Sequence, residues 1–463
     1  MTVPTPAVPL ARIGSEVEEL LVPAPALSLV RDASPARIRS IWIPLAFSAV
    51  IAGASFFAVP ALTDSLTGNA ANNAALNLSF AYKVLAPICN TLDTISMFSQ
   101  GQHLGFLLTF AFVFVAWRLI RRQHASIPPR LRDDLIAGGR AVIALLGVYI
   151  VGALVPRPIA RLAISSPDAV VIDFHSHTRY SWDGRAGFSP QESRRWHHAS
   201  GFDVAYITDH STFAGAEEAA LDNPARAGDG TVMLSGIEVR DRGNHLAVLG
   251  TDAGDWRSYT AGDLHERIFE SEAQARGAAR PVVLFTLPGN LKSESAMAVD
   301  GIELSDAAPR GLTESDAQRE KIVGLAHAQK KSLVASSNNH GWASASPAWS
   351  VMQIPNWRAM TPAQLDVAIR RQILDQGTAA VQIVDRRLPG PTSFIGLVVT
   401  VPGAAWRMLR TMSWAERTSW LIWIWTIYAL TILIQKIRGR DSSGAQQEKI
   451  EEFTRWRRAA GMA

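Results

Sequence analysis

Four long apolar runs mark the chain, and the stretch between the third and the fourth has a different rhythm. Ile41 to Thr63 carries no charge, and Thr94 to Trp117 repeats the pattern before ending in Arg118, Arg121 and Arg122. Leu135 to Val155 is interrupted only by Arg140, which can snorkel from a helix end. Thr418 to Gln435 holds Trp420, Trp423, Trp425 and Tyr428, a density that suits an interfacial belt, and closes in Lys436, Arg438 and Arg440. Each run is near the roughly 20 residues a helix needs to cross a bilayer. The pattern therefore predicts four transmembrane helices: three in a membrane region over 41–155 and a fourth at 418–435. Phe80 to Ser99 is mixed in character and reads as an amphipathic helix on the outer surface. Residues 1 to 40, with six prolines, read as a flexible tail, and 436–463 as a basic one.

From Asp168 to about 390 short β-rich runs alternate with helical stretches, which predicts parallel strands joined by crossover helices. The strands are Ala169–Phe174, Val204–Thr208, Thr231–Val239, Leu246–Leu249, Pro281–Thr286, Gly301–Leu304 and Ser332–Ser336. Helices are predicted after the Ser189-Pro190 cap, over Thr260 to Gly277, over Glu314 to Lys330, and from Thr361-Pro362 to Gly377. Seven strands in this alternation predict an α/β domain built as a closed or nearly closed β/α barrel. In such a domain functional side chains gather at the C-terminal strand ends.

Composition adds three constraints. The 463 residues exceed one ordinary domain, and 48% hydrophobic against 19% charged content fits a membrane protein. The net charge of +4 forms no basic face with interleaved aromatics, so no nucleic acid is expected as a stable partner. Cys89 alone builds neither a disulfide nor a thiolate cluster. Lys and Arg crowd the loop between the second and third runs (Arg118, Arg121, Arg122, Arg130, Arg132) and both terminal tails. That places the tails in the cytoplasm and 156–417 outside it, in a plasma or bacterial inner membrane. Arg157, Arg161, Arg407, Arg410 and Arg417 stand against that count.

The strand ends share one chemistry. Strand one delivers His175 and His177, which alternation turns to the same side, with Asp183 following in Ser181-Trp182-Asp183-Gly184. Strand two ends Thr208-Asp209-His210, strand three carries Gly236-Ile237-Glu238-Val239, strand four opens Asn244-His245-Leu246, and strand seven ends Ser337-Asn338-Asn339-His340. Imidazoles and carboxylates without thiolates suit zinc, manganese or iron in a hydrolytic centre. His197, His198, His265 and His327 fall within helical stretches and are expected to be solvent-facing or internally satisfied.

Over roughly residues 170 to 345 these motifs, in this order, resemble the PHP (polymerase and histidinol phosphatase) family of metal-dependent phosphoesterases. The resemblance implies a distorted seven-stranded β/α barrel holding up to three divalent metals. It implies His175, His177 and Glu238 as ligands of a first metal, aided at the position of Asn338. A second would be held by Glu238 and His245, and a third by Asp183, His210 and His340. Two positions depart from the family: Leu287 replaces a histidine of the second metal, and Asn338 replaces an aspartate, so two metals are expected. Asp209 is expected to orient His210 or manage a proton, and Arg179 to grip a phosphate. The expected activity is hydrolysis of a phosphomonoester or phosphodiester, lipid-linked or envelope-derived in view of the tether. The competing expectation is a membrane sensor whose barrel binds metal or ligand without turnover.

Overall fold

The structure, a computed structural model, describes residues 33–123, 131–241, 244–251, 280–286, 299–306, 316–386 and 393–459. The helix expected over Thr260 to Gly277, His265 and the departure at Leu287 lie outside the described residues. The chain divides into two compact units: Phe57–Trp420, and Met1–Phe56 with Leu421–Ala463.

In chain order the elements open with helix α1 (Ala33–Ser55), strands β1 (Thr63–Asp64) and β2 (Ala74–Asn77), and helices α2 (Phe80–Val84) and α3 (Ala86–Ser96). Helices α4 (Gln100–Gln123) and α5 (Leu131–Leu154) follow, then β3 (Arg161–Ile164) and β4 (Ala169–Ser176). Next come α6 (Pro190–Ser200), β5 (Val204–Ile207), α7 (Ala214–Leu221), β6 (Val232–Asp241), β7 (Asn244–Leu249), β8 (Val282–Thr286) and β9 (Gly301–Asp306). The chain closes with α8 (Asp316–Gln329), β10 (Ser332–Ser336), β11 (Ala348–Gln353), α9 (Pro362–Gln376), β12 (Gln382–Asp385), α10 (Phe394–Thr411) and α11 (Trp414–Ala459).

Among the described residues three helices are long and apolar enough to cross a membrane: Gln100–Gln123, Leu131–Leu154 and Trp414–Ile437. The first predicted run is helical within Ala33–Ser55, and by Thr63 the chain is a strand paired with Asp385. An uncharged run is a statement about composition, and here it covers a helix plus the approach to a sheet edge. The amphipathic segment after Phe80 is helical, as α2 and α3, capped by Ser79 accepting from the Tyr82 N–H.

All seven predicted strands form, as β4 to β10, but not as a uniform β/α alternation. The ten-stranded sheet runs β1-β12-β11-β4-β5-β6-β7-β8-β9-β10. β4, β5 and β6 are parallel, whereas β6 with β7 and β7 with β8 are antiparallel, and β8, β9 and β10 return to parallel. The fold is thus mixed α/β with a curled, half-barrel sheet. At its rim the chain after β10 meets the end of β4: Asn338 N donates to His175 O at 2.8 Å and His177 N to Asn339 O at 3.1 Å. Strands β11 and β12 extend the sheet antiparallel beyond β4.

β4 is buried along its whole length, and alternation shares it between two cores. Val170, Ile172 and Phe174 join the large core with Val204, Tyr206 and Ile369, while Ala169 and Val171 join Trp196, Phe202 and Trp349. The predicted caps are present: Ser189 accepts from Glu192 N ahead of Pro190, and Thr361 with Gln364 makes a capping box.

A buried polar knot fastens α3 and the end of α5 to β12. Asp93 is fully buried, and its Oδ1 accepts from Arg157 Nε at 3.1 Å and Nη2 at 3.0 Å. Its Oδ2 accepts from Tyr82 Oη at 2.9 Å, with Arg386 Nη2 at 3.6 Å. Arg157 also donates to Gly152 O at 2.8 Å. Burial and the neighbouring Asp93 push the Tyr82 phenol upward, so it stays a donor.

Candidate metal centre

Four imidazoles converge on one carboxylate. Glu238, on β6, is only 2% exposed. Its Oε2 lies 3.2 Å from His175 Nε2, 3.3 Å from His177 Nε2 and 3.1 Å from His210 Nδ1. Its Oε1 lies 2.8 Å from His245 Nδ1 and accepts from Thr286 Oγ1 at 3.1 Å. The antiparallel turn of β7 back along β6 is what sets His245 opposite Arg240 and so beside Glu238. The His175 and His177 Nε2 atoms, which alternation turns to one side, stand 2.9 Å apart.

Asp183 gathers the other side of the cluster. His340 Nδ1 lies 3.1 Å from its Oδ1, and His210 Nε2 lies 3.4 Å from its Oδ2. The His177 and His340 rings stack at 4.0 Å, so the two halves are contiguous. Asp183 is delivered by a tight turn in which a Cβ on Gly184 would stand 2.0 Å from Thr178 O, which restricts that position to glycine.

Electrostatics prepare these groups as ligands. Burial pushes the Glu238 carboxyl up, but His175, His177 and His245 outweigh it and hold it well below the usual carboxylate range. Burial pushes His177 down to about 3 and also lowers His210 and His340, leaving neutral rings with available lone pairs. His175 behaves oppositely: burial would lower it, but Glu238 and Glu303 hold it protonated well above its ordinary value. A cation where the two Nε2 atoms meet would replace that proton.

The residues fit divalent ions on their own geometry. Two ring nitrogens at hydrogen-bond distance share one proton or face one cation, and a low-pKa carboxylate oxygen completes that corner. His175, His177 and Glu238 form one group able to hold an ion, and His210, Glu238 and His245 form another, sharing Glu238. The second group is drawn more widely than the resemblance implied, since His210 reaches both Glu238 and Asp183.

Three expected residues are engaged elsewhere. Asn338 Oδ1 faces His340 Nε2 at 2.9 Å, and its Nδ2 donates to Asp306 Oδ2 at 2.8 Å. Asp209 is buried, and its carboxylate accepts from Thr178 N at 2.6 Å and Thr178 Oγ1 at 2.7 Å. Both ring nitrogens of His210 are already faced by Glu238 and Asp183, so Asp209 pins the loop after β4 instead of orienting that ring. A Cβ on Gly215 would stand 2.0 Å from Asp209 Oδ2, so glycine there makes its room. Arg179 is exposed, donating to Glu218 Oε2 at 3.0 Å and lying over the Tyr180 ring.

Sequence reasoning missed Glu303 and Asp306, both buried on β9. Glu303 Oε1 lies 3.3 Å from His175 Nδ1, the carboxylate–imidazole contact that fixes a ligand's tautomer and orientation. Asp306 restores a carboxylate beside Asn338. The signal was available as two acids at the end of an otherwise apolar strand. His197, expected to be internally satisfied, is so: Nε2 lies 2.8 Å from Asp173 Oδ2, and Nδ1 donates to Ser193 O at 2.7 Å.

No protein-family model matches the chain, and the search of curated proteins gives no match. Among solved structures it is similar to PsfC from Pseudomonas syringae, with TM-score 0.33 and 14% identity over 53% of this chain and 100% of that one. It is also similar to a two-domain protein of Bacteroides vulgatus containing a predicted PHP-like metal-dependent phosphoesterase, with TM-score 0.30, 14% identity, and coverage of 44% of this chain and 63% of that one. The lesion-specific endonuclease PfuEndoQ from Pyrococcus furiosus gives TM-score 0.33 and 15% identity over 44% of this chain and 56% of that one.

Proposed function

We propose that this chain is a membrane-anchored, metal-dependent phosphoesterase of the PHP type. The observation that carries the proposal is the convergence of His175, His177, His210 and His245 on the buried Glu238, with Asp183 and His340 closing the far side. His175, His177 and Glu238 would hold one divalent ion, and Asp183, His210 and His340 another, with zinc, manganese or iron suited to the donors. His245 and the second oxygen of Glu238 would be the start of a third position. When bound, such ions lower the pKa of a water and neutralise charge on a phosphoryl group.

The chain's own residues supply the rest. Glu238 presents Oε2 to His175, His177 and His210 and Oε1 to His245, so one carboxylate ties the four rings together. Glu303 holds His175 in the orientation that turns Nε2 inward. Asp209, pushed up to about 6 chiefly by burial, can hold a proton near neutral pH, and through Thr178 it anchors the loop carrying Asp183. Asn338 and Asp306 set the ring of His340.

The domain is proposed to face the extracytoplasmic side. Gln100–Gln123 and Leu131–Leu154 form a pair whose connecting loop is basic, and a pair returns the chain to its starting side whatever α1 does. Two arginines that count against this orientation are structurally committed: Arg157 to Asp93, and Arg417, 4% exposed, through Nε to Met412 O. Reporter fusions at residue 165 and at the C-terminus test the sidedness. For the chemistry, His210→Ala and Glu238→Ala in manganese-loaded protein are expected to abolish phosphomonoesterase and phosphodiesterase turnover. Unchanged turnover refutes the assignment, and tight metal binding with no hydrolysis favours the sensor.

A further inference from the structure

The metal cluster shares a wall with a cavity of about 290 Å³ that reaches the membrane helices. Asn338 and His340 line it together with Leu92 and Ile95 of α3, Val148 and Ala153 of α5, and Trp342. α5 is one of the helices apolar enough to cross a bilayer, and Val148 is 41% exposed. The loop bearing His340 is tied to that helix where Ser344 Oγ donates to Gly152 O at 2.9 Å. The polar side chains among the helix residues have partners, His103 Nδ1 lying 3.0 Å from Tyr149 Oη and Ser96 Oγ donating to Asp93 O at 2.9 Å. What remains of the wall on the helix side is hydrocarbon.

We infer that the substrate is a long-chain lipid phosphoester, its phosphate at the metal cluster and the first part of its hydrocarbon chain in this cavity. The inference rests on the phosphoesterase reading and names the substrate class for it. A soluble sugar or nucleotide ester offers hydroxyls and ring nitrogens that Leu92, Ile95, Val148 and Ala153 cannot pair, and burying them unpaired is costly. A hydrocarbon chain asks nothing of those walls, and one already in the bilayer reaches the cavity beside a membrane helix. Hydrolysis balances simply: water gives its oxygen to phosphorus and a proton to the alkoxide that leaves as the P–O bond breaks.

The test uses full-length protein in detergent micelles with manganese, p-nitrophenyl phosphate as reference, and alkyl phosphates of short and long chain. kcat/KM should rise about fourfold for each methylene that enters the cavity, following the transfer free energy of a buried CH₂. Ala153→Trp and Ile95→Trp, which fill the cavity from two different helices, should reduce the long-to-short ratio at least tenfold. A long-chain alkyl phosphate carrying a diazirine should label the segments around 148–153 and 342–344, with or without turnover. Equal rates across chain lengths, a ratio indifferent to both variants, or labelling elsewhere overturns the inference. Labelling at those segments without hydrolysis of any ester supports the cavity as a lipid-phosphate site while refuting the phosphoesterase reading.

Discussion

Two buried polar clusters lie in the same compact unit, and they are built to opposite rules. In the knot around Asp93, charges of opposite sign meet: both oxygens of one carboxylate are occupied by Arg157 and Tyr82, with Arg386 nearby. In the cluster around Glu238, four imidazoles crowd one carboxylate, and two ring nitrogens face each other at 2.9 Å. The first cluster is complete as it stands and fastens helices to the sheet. The second lacks positive charge at its centre, and His175 makes up the deficit with a proton. A buried acid surrounded by donors is a fastener; one surrounded by lone pairs is a cation site.

Breaking each cluster by one isosteric change should separate them. Glu238→Gln should cut turnover by about a thousandfold or more, since both halves of the centre lose their shared anion. It should strip metal from the protein, and circular dichroism should still report a folded domain. Asp93→Asn should do the reverse, leaving metal content intact while Arg157 sits buried without its counter-charge. A destabilisation of about 3 kcal/mol is expected in thermal or urea unfolding.

Metal removal sharpens the same contrast. Adding ion at about a hundred times its dissociation constant should stabilise the wild type by about 2.7 kcal/mol, and chelation should reverse this. The Asp93→Asn variant should respond equally and Glu238→Gln not at all. Because the raised His175 proton competes with the ion, affinity should increase with pH, by up to about tenfold per unit while that proton is held. Titration calorimetry in two buffers of different ionisation enthalpy measures the proton released.

A smaller effect belongs to Asp203, whose carboxylate accepts from Val171 N and is pushed up to about 6 chiefly by burial. A folded-state value above the ordinary one means the fold favours the neutral acid. Its contribution is therefore present below about pH 4 and is lost as pH rises through about 6. Asp203→Asn mimics the neutral form, so it should be more stable than wild type at pH 8 by about 2 kcal/mol, a gain that vanishes near pH 4. Melting curves at both values check it.

The strands and most of the centre were legible because both are local signals. Buried strands such as Val170 to Phe174 announce themselves as apolar runs, and ligands at strand ends fall just beyond them. Strand direction was not legible: only two residues separate β6 from β7, a hairpin spacing, yet the surrounding alternation suggested crossovers. Glu303 and Asp306 escaped because their role depends on which strand lies beside β4, a long-range fact of the curled sheet. Arg179 lies beside the candidate ligands in sequence, yet its ion pair is with Glu218 on α7.

Metal analysis of purified full-length protein beside Glu238→Gln tests the central claim most directly. The geometry predicts about two divalent ions per wild-type chain after manganese or zinc loading and desalting, and almost none in the variant. Fewer than one ion per wild-type chain, or equal content in both proteins, would contradict it.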